Sequence, residues 1–205
     1  MSYQVCLIYT LGISVLSFII GNFFAILLAV MRMSQKPWLK YPARIYISFM
    51  RGVPMLVVLF ILYFGLPYVG IQIPALLYAI IGFSTVSAAY MAEIFRSSIS
   101  AVDKGQWKAA QSLGLPQKPI IHHIILPQAL RIAVAPTCNV IIDMVKSSSL
   151  AAMITVPDIF QNAKIIGGRE YDYMSMYILI TFIYWVLSFI LELLQGQVEK
   201  RLTVY

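Results

Sequence analysis

The chain has 205 residues, of which 60% are hydrophobic and only 11% charged, with a mean hydropathy of +0.83. Soluble domains carry about 25% charged residues, and no single core of this size hides so much apolar surface, so an ordinary soluble protein is excluded. The formal charge of +7 leaves open a nucleic-acid partner until the positions of the charges are considered.

The first apolar segment, about 5–31, has no basic residue before Arg32. It exceeds the roughly 7–15 residues of a signal-peptide core, so it reads as a transmembrane helix. A second span is placed at about 45–66. It is interrupted at Arg51-Gly52-Val53-Pro54, where a helix-weakening glycine stands two residues before a proline that has no N–H to donate. Pro54 suits the first turn of a new half-helix. Spans three, four and five are placed at about 75–96, 127–146 and 174–195. The expected fold is an all-α integral membrane protein with five transmembrane helices, as a single domain over 1–205.

The basic residues set the expected orientation. Arg32, Lys36, Lys40 and Arg44 follow span one, Arg96, Lys104, Lys108, Lys118 and Arg131 surround the link from span three to span four, and Lys200 and Arg201 follow span five. These are 11 of the 15 lysines and arginines, and helix alternation puts them all on one side. The positive-inside rule then places the N-terminus outside and the C-terminus in the cytoplasm. Basicity reports topology, and no nucleic-acid partner is expected.

Charges at membrane depth are costly and mark candidate solute pathways. They are Arg51 at the break, Glu93 in span three, and Asp143 and Lys146 at the end of span four, where Ser147 to Ser149 compete for backbone hydrogen bonds. Asp143 with Lys146, and Glu93 with Arg96, share the i,i+3 spacing that pairs side chains on a helix. Two roles are open to the set: mutual neutralisation that holds helices together, or a solute site. A zwitterionic amino acid needs cations or N–H donors for its carboxylate and anions for its ammonium. Arg51 and Lys146, both beside possible helix starts, meet the first need, and Glu93 and Asp143 the second.

No phosphate-binding loop G-x-x-x-x-G-K-[ST] occurs, nor H-E-x-x-H, nor G-x-S-x-G. Adjacent His122 and His123 point to different helix faces and make a poor metal pair. Cys6 and Cys138 read as small buried hydrophobes. Neither a metal nor a catalytic residue is expected.

The segment KGQWKAAQSLGLPQKPIIHHIILP, residues 104–127, is basic and rich in turn residues. A short helix is expected over about 103–113, with Asp103 as N-cap and Gly114 as its stop, presenting a shallow face with Ala109 and Ala110. Pro116 and Pro119 then make a turn, and IIHHIIL a second short helix that leads to Pro127 and span four. Small residues on such a face let a partner's backbone come close.

GQWKAAQSLGLPQ and IILPQALR resemble the EAA loop of the permease subunits of bacterial ABC importers. Ala109, Ala110, Gly114, Leu126 and Pro127 match that pattern, and Lys108 stands where the family usually has Glu. FMRGVPMLVVLFILYFGLP is similar to the Arg-Gly-Thr-Pro span of polar amino acid permeases, with Val53 for Thr. AAYMAEIFRSSISAVDKGQW resembles their Ala-Tyr-x-Ala-Glu-x-x-Arg segment. LPQALRIAVAPTCNVIIDMVKSSSL resembles their Leu-Pro-Gln-Ala-Leu-Arg stretch and its Lys-Asp-Thr-Ser-Leu ending, with Ser147 and Ser148 for Asp and Thr.

The resemblance implies an ABC type-1 importer permease fold in the bacterial cytoplasmic membrane, with a cytoplasmic coupling helix between spans three and four. It implies a second permease subunit, identical or paralogous, two cytoplasmic ATPases that bind ATP and Mg in place of this chain, an extracytoplasmic solute-binding protein and an amino acid substrate. Lys108, Ala109, Ala110, Gly114, Leu126 and Pro127 would serve ATPase coupling. Arg51, Glu93, Asp143, Lys146 and Ser147 would line the substrate pathway. The alternatives are an importer permease for another small solute, such as an opine, peptide or anion, and an ATP-independent ion channel or ion-driven transporter.

Overall fold

A computed structural model describes residues 3–202. Every regular element among them is helical. α1 (Tyr3–Met33) is followed by α2 (Pro37–Gly52) and the short α3 (Met55–Phe60), which continues through a π turn (Ile61–Gly65) and a 3-10 turn (Leu66–Val69). α4 (Ala75–Ala101) leads to α5 (Lys104–Ser112). α6 (Gln117–Pro119), a π turn (Ile120–Ile125), α7 (Leu126–Ser147) and a 3-10 turn (Ser148–Ile154) form one long rod. α8 (Ile159–Glu170) and α9 (Tyr173–Leu202) complete the chain.

Four helices are long and apolar enough to cross a bilayer: Val5–Met33, Ala75–Ala101, Gln117–Ile154 and Tyr173–Arg201. The fifth candidate is a broken pair, Pro37–Gly52 with Met55–Val69, bent by 105°. The break falls where Gly52 and Pro54 place it. Val53 is extended, with its N–H returned to the Phe49 carbonyl, and Pro54 caps α3. The bend is far beyond an ordinary proline kink, so the expected second span is two helices set nearly at right angles, a broken span or a re-entrant loop.

The helices bury small residues and turn large ones outward, the inverse of a soluble bundle. On α1, Ala25, Ala29, Ser14 and Ser17 are buried while Phe23, Ile26 and Val30 are exposed. α1 lies along α4 so closely that a Cβ on Gly21 would stand 2.1 Å from the Ser87 hydroxyl and 3.1 Å from the Ser84 carbonyl. Ser17 donates to the Ile80 carbonyl at 3.2 Å across the same seam. Such packing replaces hydrophobic exclusion where the solvent is itself apolar.

The rod containing α7 begins ten residues earlier than the expected span four. Pro119 lies at the end of α6, where helix continues through it, and Pro127 is tolerated because the π turn widens the ladder ahead of it. There the Leu126 N–H reaches back five residues to Ile121. No separate short helix stands at IIHHIIL; those residues are the rod's first turns.

Candidate functional site

A cavity of about 550 Å³ opens at the break between α2 and α3. Arg51, Val53, Pro54 and Met55 form one wall. Phe83, Val86, Ser87 and Tyr90 of α4 form the second, and Val140, Asp143, Met144, Lys146 and Ser147 of α7 the third. Positions 83, 86, 87 and 90 recur at helical spacing, so one face of α4 supplies that wall. Arg51 ends α2 and lies over the Tyr90 ring, 5.5 Å from its centroid. Lys146 Nζ stands 3.0 Å from Asp143 Oδ1, the expected i,i+3 pair, with both side chains at least half exposed. The cavity therefore carries two cations and one anion over an apolar floor of Met55, Phe83 and Met144.

Of the five predicted pathway residues, Arg51, Asp143, Lys146 and Ser147 line this cavity and Glu93 does not. Glu93 is held by Arg96 on the same helix through both the Nε and an Nη of the guanidinium. Lys146 sits in the last turn of α7, which passes directly into the 3-10 turn at Ser148. No helix start lies beside it, so its cation acts without a dipole's help. Arg51 does stand just ahead of α3.

Tyr90 was the residue missed by sequence reasoning. It is an ordinary aromatic in an apolar span, and only the packing of α2 against α4 brings the Arg51 guanidinium onto its face.

At the far end of the rod, Asp103 caps α5 by accepting from the Gly105 N–H, as expected. Gly114 has φ +71, and its N–H and that of Leu115 return to the Gln111 and Ala110 carbonyls. The stop uses the left-handed backbone that glycine adopts freely. Lys108, Ala109 and Gly114 are exposed. Ala110 is buried instead, against Val102, Ile120, Ile125 and Ala129, and so fastens α5 to the rod. Leu126 is half-buried and Pro127 exposed in the first turn of α7. His122 and His123 are exposed, and among the described residues no cluster of three metal-ligating side chains occurs.

Residues 21–204 match the protein family described as binding-protein-dependent transport system inner membrane component. The chain belongs to this family. It is 56% identical over 197 residues to the probable amino-acid ABC transporter permease protein YckA of Bacillus subtilis (strain 168), covering 96% of this chain and 87% of that one. It is 39% identical to the L-cystine transport system permease protein TcyB of the same organism, over 96% and 85% of the two chains.

A solved amino acid ABC transporter with histidines superposes with a TM-score of 0.94 at 36% identity, covering 97% of this chain and 93% of its own. The MetNI methionine ABC transporter, at 19% identity and TM-score 0.77 over 98% and 96%, shares the fold. The fold is thus that of the ABC type-1 importer permeases, and the chain is a multi-pass inner membrane transport component, not an enzyme with its own ATPase.

Proposed function

We propose that this inner membrane component passes a polar or charged amino acid through the cavity at the α2–α3 break, in a complex with two ATPases, a second permease subunit and a solute-binding protein. The observation that carries the reading is the cavity itself. Arg51, Asp143 and Lys146, three of the charges that stand out in an apolar sequence, converge on one space of about 550 Å³. That volume fits an amino acid, and the charges match its two ends. Arg51 and Lys146 would receive the carboxylate and Asp143 the ammonium. The relatives named for amino-acid, cystine and glutamine transport support the same class.

Energy enters at the other end. The exposed face of α5, with Lys104, Lys108 and Ala109, would seat in a groove of the ATPase on the cytoplasmic side, and the N-terminus would lie outside. Lys108 in place of the usual Glu calls for an acidic residue opposite it.

The test is ATP-driven uptake by the complex in vesicles, with a radiolabelled amino acid mixture. Arg51→Gln and Lys146→Met should each abolish uptake while the subunits still co-purify. Normal uptake in both would place the pathway elsewhere. Uptake that persists without an ATPase would favour an ion-driven carrier.

A further inference from the structure

Directly behind the cavity wall lies a buried acid that the transport reading does not use. Asp158 is fully buried and caps α8, its Oδ1 accepting from the Gln161 N–H at 2.8 Å. Its Oδ2 is buried without a hydrogen-bond partner. Near it the Tyr184 hydroxyl of α9 is also buried without a hydrogen-bond partner, and Asp158, Ser148 and Thr10 of α1 are the polar side chains within its electrostatic reach. Ser147 lines the cavity, and Ser148, the next residue, is fully buried on this side.

A count of donors gives the cluster two arrangements. The Ser148 hydroxyl donates to the Val145 carbonyl at 2.7 Å, so its oxygen can only accept from Tyr184. Thr10 Oγ1 accepts from the Ile159 N–H at 3.4 Å, which leaves its own proton for the Tyr184 oxygen in either arrangement. With Asp158 neutral, its O–H would donate to Tyr184 and free the phenol proton for Ser148. With Asp158 ionised and its proton released to water, the phenol proton goes to the carboxylate and Ser148 loses its donor.

We propose that Asp158 is a positioning residue for solute passage, whose proton decides whether Tyr184 holds the Ser147–Ser148 wall of the cavity in place.

Burial pushes the Asp158 carboxyl up to about 6, so both arrangements are populated near neutral pH. Around it, the titratable group that acts on Asp158 is Tyr184 of α9, and Asp158 acts in turn on Cys6 of α1. None of the ion pairs among the described residues involves Asp158. On α7, Asp143 and Lys146 face the cavity instead, and the charged residues of α8 are Lys164, Arg169 and Glu170.

The inference rests on the cavity being the pathway, so its test reads the wall without a solute as well as with one. In the full transporter, at equal pH on both sides of the vesicle, Ser147→Cys is labelled with a maleimide, and labelling of Cys6 and Cys138 in the parent is subtracted. Asp158→Asn keeps the cap and supplies a permanent donor to Tyr184. The ratio of labelling rates with and without Asp158→Asn should stay near one at about pH 5 and depart from one by about threefold or more at about pH 7.5.

Uptake of a radiolabelled mixture of the common amino acids and cystine should fall over the same range, and Asp158→Asn should hold the low-pH rate throughout. Tyr184→Phe, which removes one hydroxyl, should flatten both profiles and alone decides the matter if Asp158→Asn does not assemble. A labelling ratio that is constant with pH, or an unchanged profile in Tyr184→Phe, overturns the proposal. Loss of pathway function in the uptake arm with the labelling ratio still changing would count against the cavity as pathway and not against the switch.

Discussion

Arg51 is placed by a backbone break and Lys146 by a helix end, and the two residues differ in what holds them. Arg51 rests on the Tyr90 ring and Lys146 is tied to Asp143, so removing a partner should act differently on each. Tyr90→Ala would free Arg51 and is expected to lower uptake with little change in stability, since an exposed cation–π contact contributes about 0.5–1 kcal/mol. Uptake kinetics beside a thermal melt of the purified complex would check this.

The second prediction at this scale concerns Asp158. Its folded value of about 6 lies above the ordinary 3.8, so the folded chain holds the proton more tightly than the unfolded chain. Stability therefore declines as pH rises from about 4 to about 6, by up to about 3 kcal/mol, and levels off above. Thermal melts in detergent should show that slope in the parent protein and lose it in Asp158→Asn. Glu93 marks the limit of reading charges from sequence. Its depth in an apolar span and its pairing with Arg96 were both legible, but the same i,i+3 pairing occurs at Asp143–Lys146 inside the cavity, and only the fold separates the two.

Among the elements, the seam between α1 and α4 has the least tolerance. Gly21→Val would drive a side chain into Ser87 and the Ser84 backbone, which cannot yield, and overpacking of this kind costs about 1–3 kcal/mol. Reduced yield of folded protein and a lower melting temperature are expected, with uptake lost only in proportion to the amount of protein. Gly114→Asp presents the opposite case. Nothing lies within 4 Å of a Cβ at Gly114, so the variant should assemble, with only the strain of φ +71 against it. It should nevertheless uncouple uptake from ATP hydrolysis, because its new side chain would project from the face proposed to meet the ATPase. Hydrolysis and uptake measured on one preparation would show the split, and normal coupling would remove α5 from that role.

Helix existence and the break were legible because glycine, proline and apolar run length act locally. The start of the rod at Gln117 was not, because prolines at 119 and 127 read as punctuation until a π turn absorbs them. The role of Ala110 was equally hidden. Ala109 and Ala110 are alike in sequence, and only the packing of α5 on Ile120, Ile125 and Ala129 separates the exposed one from the buried one.

Over the whole molecule, exposed apolar surface dominates. The most apolar window of Tyr173–Arg201 is only 11% buried and that of Ala75–Ala101 is 56% buried, so α4 is the central post and α9 an outer one. Lys108→Glu belongs at this scale because it tests an interface between chains. Co-purification of the ATPase should weaken by a few-fold, as expected for one exposed charge pair, and the loss should shrink as salt is raised.

The anchoring of α5 through Ala110 has a mechanical corollary. The rod from Gln117 to Ser147 is roughly 45 Å long, with the α5 attachment at one end and Lys146 and Ser147 at the other. A tilt of about 5° imposed at one end would sweep the other through about 4 Å, more than the radius of a water molecule. The chain thus has the form of a crank. In the proposed coupling, a small displacement delivered at α5 would become a large one at the cavity through the rod itself. The widened turn at Ile120–Ile125, whose two end residues belong to the attachment, is where such a crank would flex first.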